Sequence, residues 1–396
     1  MSRHRILQIF SRYRYFGGEE GSIYRIGDAL QDHYDVEYFL SSTDDLLGKT
    51  ALDKARAPGR MLHNLSVSRK LKDYQYTGQF GFWQIHNVFP GMSPSVYTTA
   101  RQLGVPVVQF LHNYRLSCVN GFFLNHGEVC HRCIHGNFLP AATTACWHNS
   151  HVSSGVMGAV LTRVRWLKVY DQIARYVAIS QRQKELHIEM GIDPLKIDVV
   201  YHFHTPSEPP TPAPANGHAL FIGRLSPEKG GMHLLRAWAR LEDRSRQLVI
   251  VGEGSEEAAM REFCAEKGLE NVRFTGFLNE SSQKEIWEKT AFIVVPSIWE
   301  EPFGMVLLEA WGRARPVIAH AIGALTELIT PGETGWLTPS RNEAALASAM
   351  EHAFAHPSEV QAAGMAGSER VLTDFSKEVW RGKMFDLYKK IGFPAF

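Results

Sequence analysis

Short apolar runs of strand type alternate with helical patterns along the chain. In the first half, the runs predicted to be strands cover residues 5–10, 35–40, 82–88, 106–112, 176–180 and 197–203. In the second half, they cover residues 218–224, 247–254, 271–277, 291–297 and 316–321. Strands that alternate with helices favour parallel sheets with helices on both faces. The pattern therefore predicts an α/β protein with two Rossmann-like, doubly wound domains.

A proline-rich stretch separates the two sets of strands. It has the sequence TPSEPPTPAPANG, and its prolines exclude a helix or a central strand. We therefore predict an N-terminal domain at 1–204, a linker at 205–217, a C-terminal domain at 218–375 and a terminal helix at 376–396. The two domains are expected to face a central cleft, because doubly wound folds bind ligands at the carboxyl ends of their strands.

Composition and charge narrow the class of protein. With 396 residues, 44% hydrophobic and 21% charged, the chain is expected to be a globular protein with more than one core. No apolar run reaches the roughly 18 residues of a membrane span, and the basic start lacks the core of a signal peptide, so we expect a cytoplasmic protein. Residues 1–200 hold 22 Lys and Arg against 16 Asp and Glu, and the remainder holds 20 against 25. The first half should therefore prefer an anionic surface or substrate.

The stretch EEPFGMVLLEA, residues 300–310, places Glu301 and Glu309 on either side of a Pro-Phe-Gly turn. If a helix begins near Pro302, its rise of about 1.5 Å per residue separates the two carboxylates by roughly 10–12 Å. That distance is comparable with the reach from the sugar to the ribose of a nucleotide-sugar. The free N–H groups of residues 303–305 would lie between them and favour a diphosphate.

Cations follow the strand predicted at 218–224. In the segment RLSPEKGG, Arg224 and Lys229 flank a Ser-Pro turn that begins a helix. Two cations together with helix N-terminal N–H groups would bind a diphosphate and stabilise it as a leaving group without a metal. An ordinary surface pair at a helix start is the alternative interpretation.

Two later turns carry weaker signals. The segment VIVGEGSEE contains Glu253 and Gly254, but a GxG alone indicates a strand-to-helix turn rather than a dinucleotide site. In FTGFLNE, the ring of Phe277 at a strand end would pack either beside a base or in the core.

Taken in order, GRLSPEKGG, GEG, TGF, PSIWEEPFGMVLLEA, GRARPVIA and GALTELITPGETGWL resemble the family 4 glycosyltransferases. These are retaining enzymes of the two-domain GT-B fold that move a sugar from a nucleotide-sugar to an acceptor. The resemblance extends over nearly the entire chain and is strongest at 218–340. It implies a hexose-type sugar, a nucleoside-diphosphate donor of unknown base and a terminal helix that crosses back to the first domain. In that helix, one apolar face is predicted from Val379, Met384, Leu387 and Tyr388.

The resemblance also implies a role for each matching residue. Glu301 would hydrogen-bond hydroxyls of the transferred sugar, and Glu309 would bind the ribose. Arg224 and Lys229 would neutralise the diphosphate as the glycosidic bond breaks. The other donor-site residues are Gly304, Met305, Val306, Glu253, Gly254 and Phe277. No Asp-x-Asp pair lies in a suitable loop, so we expect no catalytic divalent metal.

The first half contributes two candidate loops. Gly17 and Gly18 permit a tight turn before a helix, and in the family this loop borders the acceptor and the donor phosphates. His112 ends the strand predicted at 106–112, with Asn113 beside it, and matches the family histidine at the transferred sugar. A structural histidine is the alternative interpretation.

Two basic segments are candidates for contact with an anionic membrane. Residues 52–73 hold six Lys and Arg against two Asp, and residues 161–176 hold four against one, with interleaved Leu161, Val164, Leu167 and Val169. Such segments suit peripheral docking on the inner face of the cytoplasmic membrane, although solvated helix faces are equally consistent. With the positive first half, they favour a glycan or lipid-pyrophosphate-linked acceptor.

A cysteine-rich insert at 118–146 has the spacing C-x11-C-x2-C-x12-C, formed by Cys118, Cys130, Cys133 and Cys146. In a cytoplasmic chain this spacing favours a structural zinc ion over disulfides. Histidines 126, 131, 135 and 148 are alternative ligands. Similar inserts occur in family members that build bacterial surface polysaccharides, which favours that acceptor class. Cys264 is expected to be a buried apolar residue.

Three other classes of protein compete with a glycosyltransferase. A nucleotide-sugar epimerase shares the architecture. A zinc-ribbon protein that binds nucleic acid would need a concentrated basic stripe, which a chain of net charge +1 lacks. A nicotinamide-dependent oxidoreductase would need a GxGxxG after a strand. We therefore expect a nucleotide-sugar-dependent hexosyltransferase that binds no nucleic acid.

Overall fold

A computed structural model describes residues 4–12, 18–42 and 50–393. The chain divides into two compact units, one of residues 1–126, 130–201 and 380–396 and the other of residues 127–129 and 202–379. Each unit contains a six-stranded parallel sheet with helices packed on it, as the pattern of apolar runs predicted.

The first sheet has the strand order β2-β1-β3-β4-β7-β8. Its strands are β1 Arg5–Arg12, β2 Asp35–Ser42, β3 Phe82–Ile85, β4 Val107–Leu111, β7 Arg175–Ala178 and β8 Ile197–Val199. Two short strands of the cysteine-rich insert, β5 Leu124–Asn125 and β6 Glu128–Val129, form a separate two-stranded sheet. The helices are α1 Gly18–Leu30, α2 Ala51–Leu62, α3 Leu65–Gly78, α4 Ser95–Leu103, α5 Leu139–Thr143, α6 His151–Trp166 and α7 Gln181–Glu189. Strands β3 and β4 are buried along their whole length, as expected for a parallel sheet covered on both faces.

The second sheet has the order β11-β10-β9-β12-β13-β14. Its strands are β9 His218–Ile222, β10 Leu248–Val251, β11 Val272–Gly276, β12 Thr290–Val295, β13 Val317–His320 and β14 Gly335–Thr338. The helices are α8 Gly231–Trp238, α9 Glu257–Glu266, α10 Glu280–Glu288, α11 Met305–Trp311, α12 Leu325–Leu328, α13 Glu343–Ala355 and α14 Pro357–Thr373. The edge strand β14 was not among the predicted strands.

Local capping signals explain where several helices begin. Asn64 accepts a hydrogen bond from the N–H of Val67 at the start of α3, and Asn342 accepts one from Ala345 at the start of α13. Ser150 caps α6 in the same way. Each cap satisfies a backbone donor that the first turn of a helix leaves without a partner.

Residues 205–217 form no helix or strand and pack on the second unit. The buried Arg315 donates a hydrogen bond of 2.6 Å to the carbonyl of Thr211, and Gln361 donates one of 2.9 Å to that of Ala213. Burial lowers the pKa of Arg315 to about 10. The proline-rich stretch is therefore fixed to the unit that follows it.

The terminal helix α15, Lys377–Lys390, belongs to the first unit from Trp380 onward, so its predicted return to the first domain is confirmed. Tyr388 packs on Phe82 with ring centroids 4.8 Å apart and donates a hydrogen bond of 2.7 Å to Gln84. Met384, Leu387 and Tyr388 are buried as predicted, but Val379 is 37% exposed and Trp380 is buried instead. The predicted apolar face was thus misplaced at its first position.

Candidate active site

Each sheet has one point where the strand order reverses. In the second sheet the chain runs outward from β9 to β10 and β11, and it then resumes at β12 on the other side of β9. In the first sheet the corresponding neighbours are β1 and β3. Ligands of doubly wound sheets bind beyond the carboxyl ends of the strands at such points. The loops after these four strands are therefore the places to look for functional side chains.

The loops after β9 and β12 lie directly against each other. The N–H of Ile298 donates a hydrogen bond of 3.0 Å to the carbonyl of Glu228. Gly230 adopts φ +70°, and a Cβ at this position would lie 1.9 Å from the carbonyl oxygen of Pro296. Only glycine accommodates both constraints, which explains the first glycine of the pair in RLSPEKGG.

This contact brings Lys229 and Glu301 together. Lys229 Nζ lies 2.8 Å from Glu301 Oε2. The same oxygen accepts hydrogen bonds from Ser297 Oγ at 2.8 Å and from Trp299 Nε1 at 2.9 Å. Glu301 is 4% exposed, so three donors hold a buried carboxylate while its Oε1 carries no hydrogen bond from the described residues. Sequence reasoning missed Ser297 and Trp299, although both lie in the quoted PSIWEEPFG segment.

Arg224 is held differently. Its guanidinium lies 3.3 Å from the carboxylate of the buried Glu228, and its side chain is 62% exposed. Ser226 Oγ donates a hydrogen bond of 2.6 Å to the same oxygen of Glu228. Glu228, which the sequence did not single out, therefore anchors an exposed cation beside the Lys229 loop.

The turn with Glu253 and Gly254 packs on the loop after β9. The N–H of Leu225 donates a hydrogen bond of 2.9 Å to the carbonyl of Glu253, and the carboxylate of Glu253 accepts one of 3.2 Å from the N–H of Phe277. Phe277 is 68% exposed, so the core-packing interpretation of its ring is wrong. The loops after β9, β10, β11 and β12 thus meet at one edge.

The helix after Glu301 is shorter than predicted. It begins at Met305 rather than near Pro302, because Gly304 adopts φ +89°, which right-handed helical backbone excludes. The spacing of 10–12 Å derived from a helix through Pro302 therefore does not apply. Glu309 lies in α11 and is half-buried, as are Gly304, Met305 and Val306.

In the first unit, Gly18 begins α1, whereas Gly17 lies outside the described residues. Glu19 Oε2 in the first turn of α1 accepts a hydrogen bond of 3.3 Å from Asn113 Nδ2. The start of α1 and the loop after β4 are therefore in contact.

His112 lines a cavity beyond the ends of β3 and β4, together with His86 and Asn113. Its Nε2 lies 2.8 Å from Nδ1 of His86. Burial lowers the pKa of His112 to about 3, so the imidazole is neutral at physiological pH. His86 was not identified from the sequence.

The four cysteines of the insert line one small cavity as free thiols. Asn120 connects two of them, since Cys118 donates to its Oδ1 at 3.0 Å and its Nδ2 donates to Cys146 Sγ at 3.1 Å. Arg132 Nε donates to Cys130 Sγ at 3.2 Å. Burial raises the pKa of Cys133 to about 11 and that of Cys146 to about 12. None of the four histidines named as alternative ligands lines the cavity.

The sulfurs are farther apart than in a closed metal site. Among the described residues, one group of three or more possible metal ligands has all its ligand atoms within 4.8 Å of one another, and it consists of His352, His356 and Glu359 near the surface. The four cysteines of the insert do not form such a group. Four thiolates about 2.3 Å from a zinc ion would lie roughly 3.8 Å apart. A zinc ion would therefore have to draw the cysteines together.

The segment 161–176 does not offer the predicted apolar contacts to a membrane. Leu161, Val164 and Val169 are fully buried in the first core, and Leu167 is partly buried there. Trp166, at 75% exposure, is the large apolar side chain that this segment presents to solvent. Cys264 is buried, as predicted. In the described ranges, no helix is both long and apolar enough to cross a bilayer.

Residues 213–370 match the family model described as "Glycosyl transferases group 1". The phosphatidyl-myo-inositol mannosyltransferase of Mycobacterium leprae is 31% identical over 188 residues, which are 46% of this chain and 50% of that protein. The alpha-D-kanosaminyltransferase of Streptomyces kanamyceticus is 28% identical over 176 residues, 44% and 45% of the respective chains. The chain thus spans about half the length of these curated relatives.

Solved structures share the fold over the entire length. Sucrose-phosphate synthase from Thermosynechococcus elongatus superposes with a TM-score of 0.71 at 19% identity and covers 98% of this chain and 99% of its own. HepE from Anabaena, crystallised with UDP and glucose, has a TM-score of 0.67 at 17% identity and covers 98% and 100%. Residues 213–370 are therefore similar to the group 1 glycosyl transferases, and the chain shares with these solved structures a fold of two parallel α/β units.

Proposed function

We propose that the chain transfers a hexose-type sugar, with retention, from a nucleoside-diphosphate sugar to a glycan or lipid-linked acceptor, in the synthesis of a surface polysaccharide. The observation that carries the proposal is the Lys229–Glu301 pair at the switch point of the second sheet, with Arg224 anchored beside it. An acidic group for sugar hydroxyls and cations for a diphosphate are what such a donor requires. The second unit would bind the donor and the first unit the acceptor.

The contacts of Glu301 indicate its role. Because three donors occupy Oε2, the carboxylate is held in one orientation and Oε1 can accept a hydroxyl of the transferred sugar. When the bond between C1 and the diphosphate oxygen breaks, Lys229 and Arg224 stabilise the negative charge that develops on the leaving group. The acceptor oxygen forms the new bond to C1 on the same face of the sugar, and its proton passes to the departing phosphate.

The remaining donor contacts follow the resemblance. Glu309 would bind the ribose hydroxyls, and the backbone of residues 304–306 would support the phosphates. The exposed ring of Phe277 beside the Glu253–Gly254 turn would stack on the base, since an aromatic ring with a free face favours stacking. Gly17 and Gly18 would border the phosphates, and His112 would contact the sugar.

The donor proposal is tested first by thermal stability with UDP, GDP, ADP and NAD, since a ligand of the folded state raises the melting temperature. One nucleoside diphosphate should stabilise the protein, and Glu309→Ala should abolish the shift. Donor sugars of that base are then incubated with candidate acceptors. A shift with NAD alone would contradict the proposal, and an isomerised nucleotide-sugar formed without any acceptor would indicate an epimerase.

A membrane-associated acceptor is supported by helix α3. Leu65 is 65% exposed and Tyr76 71% exposed, and Arg69 and Lys72 lie between them on the same helical face. Cations among exposed apolar side chains suit the anionic inner leaflet of the cytoplasmic membrane. The proposed acceptor is accordingly a lipid-pyrophosphate-linked glycan.

Binding to vesicles of phosphatidylcholine with and without phosphatidylserine tests this contact. The double variant Arg69→Glu/Lys72→Glu should lose binding to the anionic vesicles. The matched charge reversal Arg182→Glu/Lys184→Glu on α7 should retain it. Equal binding by both variants would contradict the assignment to α3.

We further propose that Cys118, Cys130, Cys133 and Cys146 hold one structural zinc ion. Four sulfur ligands around one cavity match the ligand set and number of structural zinc sites, and the ion would order the insert. Protein purified without chelator should contain about one zinc per chain, and Cys133→Ser should lose it while Cys264→Ser keeps it. Absence of zinc from the wild type, or equal zinc in both variants, would refute the site.

A further inference from the structure

Three possible metal ligands meet where helix α13 ends and helix α14 begins. His352 lies in the last turn of α13, His356 is the single residue between the two helices, and Glu359 lies in the first turn of α14. One ligand atom of each residue lies within 4.8 Å of those of the other two. All three residues belong to the second compact unit. The junction of the helices therefore places two imidazoles and one carboxylate around one point near the surface.

The separation of two of the ligand atoms fits a small cation. His352 Nε2 lies 2.9 Å from Glu359 Oε2. Two ligand atoms at about 2.1 Å from one ion lie roughly 3.0–3.4 Å apart when the angle between them is about 90–109°. The imidazole and the carboxylate thus have nearly the spacing of two neighbouring ligands. His356 is exposed, so a small rotation of its side chain brings the third ligand atom to the same ion.

The ring of His356 is already oriented by a backbone contact. Its Nδ1 lies 2.8 Å from the carbonyl oxygen of His352. A carbonyl oxygen only accepts, so Nδ1 carries a proton and the neutral ring keeps its lone pair on Nε2. Metal-binding histidines commonly donate their other ring N–H to a backbone carbonyl in this way, which fixes both the tautomer and the direction of the ring. Nε2 is therefore the nitrogen of His356 that would bind an ion.

An ordinary ion pair between His352 and Glu359 is the simpler interpretation, and a second pair in the same unit shows what distinguishes the two. His233 Nδ1 lies 2.8 Å from Glu343 Oε1, nearly the same separation. Among the described residues, however, that pair does not belong to a group of three possible ligands. Beside His352, the ring of His356 stacks with centroids 4.2 Å apart. The third ligand is what makes the junction of α13 and α14 a candidate metal site.

The ligand types select the class of cation. Imidazole nitrogen suits zinc, nickel and copper, whereas magnesium and calcium prefer oxygen ligands. We propose that His352, His356 and Glu359 bind one divalent ion of the zinc, nickel or copper type, which joins the end of α13 to the start of α14. The site shares no residue with the cysteine-rich insert, and the inference is independent of sugar transfer.

Calorimetric titration with nickel chloride tests the site on the whole chain, prepared without a polyhistidine tag. The wild type should bind a nickel ion that His356→Gln and Glu359→Gln each bind at least about tenfold more weakly, since even residues that only orient metal ligands change affinity about 10- to 100-fold. His233→Gln, which removes the imidazole of the other pair, should bind nickel as the wild type does. The cysteines are intact in all these proteins, so nickel bound by them contributes equally.

Trp336 on β14 provides a second, local readout. Its ring centroid lies 6.0 Å from that of His352, so a nickel ion bound there should quench the fluorescence of this indole. Part of the emission of the wild type should therefore be quenched, and that part should be missing in Trp336→Phe.

Equal nickel affinity of the wild type and His356→Gln would overturn the inference, as would quenching that is unchanged in His356→Gln. The three residues would then form only an ion pair beside a histidine that caps α13. Both measurements follow binding of the metal alone, so they decide the inference whether or not sugar transfer is detected.

Discussion

The carboxyl edges of the two sheets share one architecture and differ in chemistry. The second edge holds a buried carboxylate against a lysine, with Arg224 beside them on Glu228. The first edge holds a line of one amide and two imidazoles, in which Gln8, His86 and His112 are joined by hydrogen bonds of 2.8 Å. We propose that one edge stabilises charge and that the other recognises hydroxyl groups. The difference lies entirely in the side chains that follow equivalent strands.

The largest effect should come from removing charge at the second edge. Lys229→Ala leaves the departing diphosphate without one of its cations, so we expect kcat to fall on the order of 100- to 1,000-fold. Lys289→Ala removes an exposed lysine that pairs with Glu285 in the same unit and should leave kcat unchanged. Initial rates of sugar transfer measure this effect. Normal turnover of Lys229→Ala would contradict the proposal that Lys229 stabilises the departing diphosphate.

The next effect concerns the orientation of Glu301. Trp299→Phe keeps an aromatic ring but deletes the hydrogen bond of 2.9 Å to Oε2, so we expect kcat to fall about tenfold. Trp287→Phe, which deletes a hydrogen bond from a buried indole to Gln283, serves as the control because it does not contact Glu301. Equal activity of the two variants would show that Lys229 and Ser297 suffice to hold the carboxylate.

His112 at the first edge should make stability depend on pH. The pKa of His112 is about 3 in the folded state and near 6.5 when unfolded, so the unfolded state binds more protons between these values and stability falls as pH drops below 6.5. His112 contributes at most about 1.4 kcal/mol per pH unit to this loss. When the pH falls from 6.5 to 5, the free energy of unfolding should therefore decrease more in the wild type than in His112→Asn, by up to about 2 kcal/mol. Urea denaturation at the two pH values measures this difference. Parallel losses in the two proteins would contradict a neutral His112.

The smallest expected effect tests whether side chains alone neutralise the diphosphate. If Lys229 and Arg224 provide the positive charge, adding magnesium should leave the transfer rate unchanged. Rates measured with and without magnesium chloride at constant ionic strength check this. A strict requirement for magnesium would mean that Lys229 and Arg224 do not neutralise the diphosphate by themselves.

Much of the fold was predictable because apolar runs report burial directly. Eleven strands, the terminal helix and the RLSPEKGG and EEPFGMVLLEA segments could be located from residue patterns. The burial of individual side chains could not be predicted in the same way, because it depends on which side of a helix or loop faces a core. Trp380 is buried where Val379 was predicted to be, and Phe277 is exposed. The apolar residues of 161–169 pack into the core although basic residues surround them in the sequence.

The residue order alone determined the class of fold, the candidate donor-site segments and the spacing of the four cysteines, because these are local properties of composition and period. Folding decided which side chains meet. Lys229 and Glu301 are 72 positions apart and Gln8 and His86 are 78 apart, yet each pair is joined by a bond of 2.8 Å. Parallel strands bring distant loops to one edge in an order that the linear pattern does not contain. For that reason His86, Ser297, Trp299 and Glu228 became visible as parts of the sites only in three dimensions.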